Sequence, residues 1–394
     1  MCSLGIKIEP RHMPISSNLS SVESVYSLNA RYSETLLPLT VVFGFLAFAG
    51  LLGNTVVLVV FSRSREYKKT NFKVYALFHG IIDLFTCITL IPGEIFKLRH
   101  YFVFDNGNAC KVLCFFNIFE VGATALMLML ISVERFLRVN RPLGTQIQPR
   151  LTVRLSLLCI FAALLLACPA ALMCGIEEAS ITNIHGRDTT IYCCLAEEKF
   201  KHSVWPTVYK LSLLIVTGFV LVICIVMYVT IWRTVLAATG MRMGHEAYRM
   251  RGKKAEKQRE VIEEMFIKGR NVVEDFNGAL NEDNLNTKSL SKVSTVHCEI
   301  LQNGTSKNTD SDSIGQFPYK TLIWFVLTAI FIGTHIVYGA LSFFRYAILS
   351  LPPKLFTLAS FFSRLYFVNS VINPLVYALL ESRFRSECKR LFKK

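Results

Sequence analysis

Seven runs of about twenty or more mostly apolar residues divide this chain, and a pattern of that kind has few places to hide outside a membrane. The runs cover Leu36 to Ser62, about 72 to 96, about 110 to 133, about 155 to 173, Trp205 to Trp232, Tyr319 to Phe344 and Leu355 to Leu380. The third ends abruptly at Glu134-Arg135, with Arg138 and Arg141 following. At roughly 1.5 Å per helical residue, the steps from Cys110 to Arg135 span about 37 Å, enough to cross a bilayer.

The charge pattern says which way the spans run. The formal net charge is +15, but the basic residues sit in clusters between apolar runs. That fits loops facing anionic lipid better than nucleic acid, for which no fold signature appears. The loop between runs one and two holds Arg63, Arg65, Lys68, Lys69 and Lys73, and the loop between three and four holds five arginines. The alternate loops are poorer in basic residues, so the N-terminus is expected outside and the tail inside. The expected organisation is an extracellular tail over 1–35, spans one to five over 36–233, and a long, partly disordered cytoplasmic loop over 234–318. Spans six and seven cover 319–380, and a cytoplasmic amphipathic tail covers 381–394. The opening MCSLGIKIEPRHMP is too polar for a cleaved signal peptide.

Asn18 begins an Asn-x-Ser sequon that glycosylation can reach on the outer face, whereas the sequon at Asn303 falls in the cytoplasmic loop. Phe384, Cys388, Leu391 and Phe392 recur at helical spacing among basic residues. The tail therefore reads as a helix on the inner interface with Cys388 open to palmitoylation, or as an ordinary basic tail. Many of the twelve cysteines lie inside apolar runs, where they pack as small hydrophobes.

Polar groups inside such runs are costly and ask for a reason. Asn54 follows Gly53 in run one, Asp83 lies mid-run in run two, and Glu120 lies ten residues below Cys110. Asn369 and Asn373 precede Pro374 and Tyr377 in run seven. Taken with Cys110 and Glu134-Arg135-Phe136, in this order and spacing, these residues resemble the signature of rhodopsin-type G-protein-coupled receptors. The resemblance implies an all-α, seven-transmembrane helix bundle in the plasma membrane. It also implies a receptor and not an enzyme, one that hands an extracellular signal to a heterotrimeric G protein. Arg135, paired with Glu134, would be released on activation, and Asn373, Pro374, Tyr377 and Tyr228 would rearrange with it. Cys110 would bridge to the loop after run four, where Cys193 and Cys194 are both candidates. Asp83 stands where the family often binds Na⁺; no other cofactor or metal is expected. Glu120 beside it, with Asn369 nearby, suggests a shared Na⁺ or a proton held between the carboxylates. Alternatively Glu120 faces another helix and is simply protonated.

Run six lacks the family's usual Trp and Pro, reading Phe331-Ile332-Gly333-Thr334-His335-Ile336-Val337. Asn117 replaces the aspartate of amine receptors, which argues against a biogenic amine. The segment after run one and Arg364-Leu365 ahead of Asn369 resemble prostanoid receptors of the prostaglandin E type. There, the arginine matching Arg364 would clamp a fatty-acid carboxylate, with Asn117 and aromatics such as Phe361, Tyr192 and Phe343 around the ligand. A salt bridge from Arg364 to Glu94 is the competing reading of the same residue. The expected ligand is a prostaglandin-like lipid acid, and a peptide is the alternative. A small transporter or channel would instead show repeat symmetry and discontinuous spans, and neither appears in the sequence.

Overall fold

A computed structural model describes residues 25–65, 67–182, 188–200, 203–279, 319–344, 348 and 351–392. Asn18, Asn303 and the middle of the long loop lie outside the described residues. The chain forms two compact units, Met1–Trp232 with Pro318–Lys394, and Arg233–Phe317. The second unit is helical from 233 to 279, as the basic, periodic start of the loop suggests.

In the first unit a short helix α1 (Val25–Thr35) leads into α2 (Leu37–Arg63), whose first turn takes Pro38 where a missing N–H costs nothing. The second span is α3 (Asn71–Phe85), a wide turn at Thr86–Leu90, and α4 (Ile91–Arg99). Thr70 caps α3 by accepting a hydrogen bond from the Lys73 amide at 3.3 Å. The wide turn sits just ahead of Pro92, whose ring displaces one ladder bond and whose position explains the local unwinding. The third span is α5 (Gly107–Asn140), capped by Asn106, and the fourth is α6 (Pro149–Met173). An antiparallel hairpin of β1 (Cys174–Thr182) and β2 (Asp188–Ala196) follows. α7 (Trp205–Ala279) contains the fifth span, α8 (Tyr319–Phe343) the sixth, and α9 (Pro353–Phe362) with α10 (Asn369–Leu380) the seventh. The tail forms α11 (Ser382–Phe392).

Six of these helices are long and apolar enough to cross a membrane, and the α9–α10 pair, bent by 51°, makes seven. All seven apolar runs therefore reappear as spans. Large apolar side chains are exposed along them, for instance Phe45 at 72% and Phe48 at 62% on α2. A soluble protein would bury that band; here it is the surface that lipid covers.

Two aromatic clusters fill the bundle. One, toward the Glu134 end, gathers Phe61, Tyr67, Phe72, Tyr75, Trp324 and Tyr377; the other, toward the Cys110 end, gathers Tyr32, Phe43, Phe102, Phe356, Tyr366 and Phe367. Between α5 and α6, Ala123 and Ala163 are fully buried, so small residues bring the two backbones close.

Helix α2 meets α10 just as closely. A Cβ placed on Gly53 would stand 2.8 Å from the Pro374 ring, which cannot rotate away. Gly53→Ala should therefore push the two helices apart and lose about 1–3 kcal/mol, the usual cost of overpacking. A thermal melt of the detergent-purified protein reads this, and an unchanged midpoint would show that the contact yields.

The bend in the seventh span lies at Ser363-Arg364, ten residues before Pro374. The Arg364 amide bonds to Phe361, three residues back, at 3.0 Å. The Ser360 carbonyl, its partner in a regular helix, takes the Arg364 guanidinium at 3.1 Å and the Ser363 hydroxyl at 2.9 Å instead. Side chains have replaced a ladder bond, and the helix breaks there.

Candidate functional site

Polar side chains gather at three depths of the bundle. At the Cys110 end, the β-hairpin is tethered to α5 by a disulfide between Cys110 and Cys194. Of the two candidate cysteines, Cys194 is the partner. Successive strand residues face opposite ways, so Cys193 points elsewhere, its sulfur 3.7 Å from the Tyr101 carbonyl. Strand β2 is also tied to the loop before α5. The Tyr192 amide donates to Phe102 at 2.9 Å, and the Phe104 amide donates to Tyr192 at 3.1 Å. The Tyr192 side chain is left exposed on this lid.

Beneath the lid, Arg364 donates from Nε to Glu94 Oε1 at 2.7 Å, and Lys97 pairs with the other oxygen of Glu94 at 3.2 Å. Two cations share one carboxylate, leaving one positive charge in excess. Asn117 donates to the Tyr366 hydroxyl at 3.1 Å, so the third and seventh spans meet here too. Phe361, on α9, packs against this end's aromatic cluster and stacks edge-on to Phe362.

At mid-depth, the Asn373 amide donates to Asp83 at 2.5 Å, and Asn54 donates to the Ser370 carbonyl at 2.7 Å. Asn369 reaches the sixth span by donating to Thr334 at 2.9 Å. Glu120 is buried, within electrostatic reach of Asp83, and has no hydrogen-bond or ion-pair partner among the described residues. His335 lies over the Phe331 ring at 4.0 Å between centres and 6.1 Å from Tyr366.

At the other end, Glu134 holds Arg135 at 2.6 Å and Arg138 at 2.7 Å, and accepts a further bond from Asn71 at 3.1 Å. Arg135 is almost fully buried, at 3% exposure, whereas Arg138 is largely exposed. Thr328 on the sixth span lies 3.4 Å from the Tyr228 hydroxyl on the fifth. Tyr377 is fully buried against Phe61, Phe72 and Trp324. Trp324 itself is caged by Phe72, Tyr75, His79 and Tyr377.

Beside this cage lies Glu381, wholly buried where the seventh span passes into α11. Burial pushes its carboxyl above the ordinary range, while Tyr67 and Lys320 pull it back. Lys320 stands 5.5 Å from the centre of the Phe72 ring. A carboxyl raised in the folded state holds its proton more tightly there than in the unfolded chain. Its contribution is complete below the unfolded value, about 4.3, and is lost as pH rises through the raised folded value. Glu381→Gln removes that slope, so the variant's melting temperature should gain on wild type as pH is raised from about 5 to about 7.5. A gap that stays constant across the range would refute the raised carboxyl.

Most residues marked in the sequence are thus brought together, but Arg364 changes meaning. Arg364 is not a lone guanidinium waiting for a ligand: Glu94, 270 positions away in the chain, supplies its anion. Cys388 is partly turned into the bundle beside the Phe384 cluster, and burial pushes its thiol up. The side chain of Phe343 lies outside what is described. Trp324, Glu381 and the Asn71 cap on Glu134 carry no mark in the sequence, because an apolar run hides a tryptophan and a loop hides a lone charge.

Taken together, the links run from helix to helix between a covered end and an arginine-bearing end, the organisation of a multi-pass membrane receptor. Residues 53–377 match the 7 transmembrane receptor (rhodopsin family), and the chain belongs to that family, which is one of receptors and not enzymes. Among similar curated proteins is the tachykinin-like peptides receptor 99D of Drosophila melanogaster, 21% identical over 58% of this chain and 43% of its own length. The allatostatin-A receptor of Bombyx mori is 29% identical over 54% of this chain and 57% of its own length. The neuromedin-U receptor 2 of Mus musculus is 27% identical over 35% of each. This chain therefore spans about a third to just over half of the relatives it matches. These relatives are named for peptides, and none of them supports the prostanoid resemblance.

Proposed function

We propose that this chain is a receptor for an extracellular peptide and that it signals through a heterotrimeric G protein. The Arg364–Glu94 pair carries the choice of ligand. At 2.7 Å the guanidinium already has its carboxylate, and a lipid headgroup would have to displace a buried ion pair to reach it. The names of the relatives point the same way. The excess charge of Lys97, Glu94 and Arg364 suits an acidic group on the ligand. A peptide offers one at its C-terminus or on a side chain; a prostaglandin-like acid offers one as well, and is the second reading. Tyr192 on the lid, Asn117 and Phe361 line the approach.

In this reading the Cys110 end faces outward and the Arg135 end faces the cytoplasm and the inner-leaflet lipids, as the basic loops require. Ligand binding loosens Arg135 from Glu134 and opens the fifth–sixth contact at Tyr228, while the Asn373-Pro374-Tyr377 segment turns. Guanine-nucleotide exchange in plasma membranes tests this against a panel of free-acid and amidated peptides, with labelled prostaglandin E in parallel. A saturable peptide response without prostaglandin binding supports the reading. Saturable prostaglandin binding without a peptide response overturns it.

Asp83, Glu120, Asn369 and Asn373 offer only oxygen and amide groups, a donor set that fits a hard cation such as Na⁺. Exchanging choline for sodium at constant ionic strength should then stabilise the wild type by about 1–3 kcal/mol. Asp83→Asn should abolish that gain. If Glu120→Gln keeps it in full, Glu120 does not share the ion.

A further inference from the structure

A groove of about 530 Å³ opens between the fifth and sixth spans, within the roughly 300–1,000 Å³ usual for small-molecule sites. Its α7 wall is Ile225, Val229 and Trp232, a single stripe along the helix, and all three are exposed to the lipid band. On the α8 side Ala329 and Gly333 lie one turn apart, with Phe325 a turn nearer the Arg135 end. Small residues usually draw helices together, as Gly53 does against Pro374. At Gly333 they do not, because an added Cβ would meet nothing within 4 Å. The small residues floor an open slot instead. The slot also has a polar spot. Tyr228 and Thr328, both buried, line it with their hydroxyls 3.4 Å apart. Thr328 has one hydroxyl hydrogen, and the Trp324 carbonyl takes it at 2.8 Å. The Tyr228 oxygen is left with a long, shared contact and can accept a better donor.

We propose that this groove is a binding site for a membrane sterol, entered from the bilayer, with the sterol hydroxyl donating to Tyr228. The rigid body then runs away from the Arg135 end, along Ile225 on one side and over Ala329 and Gly333 on the other. A flat ring system suits a floor of small residues, and the Trp232 and Phe325 rings stand at the end nearest the hydroxyl. An acyl chain fits less well. It carries no donor along its length for the Tyr228 oxygen, and it loses more conformational freedom on being held. A sterol is rigid before it binds and brings one hydroxyl. The site is independent of whatever ligand binds beneath the lid, because it opens to lipid and lies toward the opposite end of the bundle.

The test irradiates the full-length receptor in membranes with cholesterol carrying a photoreactive diazirine on its rings, and maps the adducts by mass spectrometry. Saturable labelling within 225–232 and 325–333 is expected, displaced by unlabelled cholesterol. Labelling that does not saturate and spreads equally over the exposed faces of α2 and α6 marks bulk lipid and overturns the site. Gly333→Leu fills the floor and should cut groove labelling by about tenfold. Gly44→Leu is the control, at an exposed glycine of α2 whose added Cβ also meets nothing, and should leave labelling unchanged. A folded Gly333→Leu protein that labels like wild type refutes the proposal. Competition on the wild type needs no variant. Cholesterol should displace the probe about fivefold better than its analogue without the hydroxyl, the worth of one hydrogen bond. Equal competition would remove the role given to Tyr228 and with it the sterol.

Discussion

Arg364→Ala is expected to destabilise the receptor by about 3–5 kcal/mol, because it strands Glu94 without its 2.7 Å partner. Lys97 remains 3.2 Å away, but its side chain is 30% exposed and belongs partly to solvent. The alanine also releases the Ser360 carbonyl, so the break in the seventh span loses a donor that holds its shape. The control is the double change Arg364→Ala with Glu94→Gln. Removing both charges abolishes the buried-ion penalty, so the double variant should recover most of the loss in melting temperature and surface expression. A ligand clamp predicts something different: normal folding of Arg364→Ala, lost ligand affinity, and no rescue by Glu94→Gln. Melting curves and saturation binding on the three proteins separate the two roles of one arginine.

The second large effect is expected at Trp324. Its side chain is fully buried between α3, α8 and α10, with aromatic rings on several sides. Trp324→Ala leaves a cavity that these rings cannot fill and should cost about 3–5 kcal/mol. Trp324→Phe keeps most of the volume and should stay under about 1.5 kcal/mol. The indole N–H has no hydrogen-bond partner among the described residues, so phenylalanine gives up packing area and no bond. Equal melting points for the alanine and phenylalanine variants would mean that the cage relaxes freely and that the sixth span is held by other contacts.

The seven spans were legible in the sequence because lipid imposes one simple demand, about twenty apolar residues per crossing. Asp83, Asn373, Glu134 and Arg135 were legible as well, since charge and amide inside such a run need a partner. The identity of the partner was harder to read. Glu94 stood as one candidate for Arg364, but no local pattern links residues 270 positions apart. The choice between Cys193 and Cys194 turns on strand alternation, and the hairpin from Cys174 to Ala196 falls in a polar stretch between the fourth and fifth runs. Its strands mix polar and apolar residues without regular alternation, so their period-two signal is weak. The bend at Ser363-Arg364 was hidden for a related reason: proline advertises a kink, whereas side chains that capture a carbonyl do not. That same arginine resembles a prostanoid clamp in sequence and meets Glu94 in the fold.

The break in the seventh span makes that span two levers on a single pivot. The outer lever is pinned to the second span by Arg364 and Glu94, and the inner one to the first and second spans through Asn54, Ser370, Asp83 and Asn373. A force applied under the lid therefore does not bend a continuous rod. It works against one ion pair at the fulcrum, and the stroke delivered at Tyr377 depends on how firmly that pair holds.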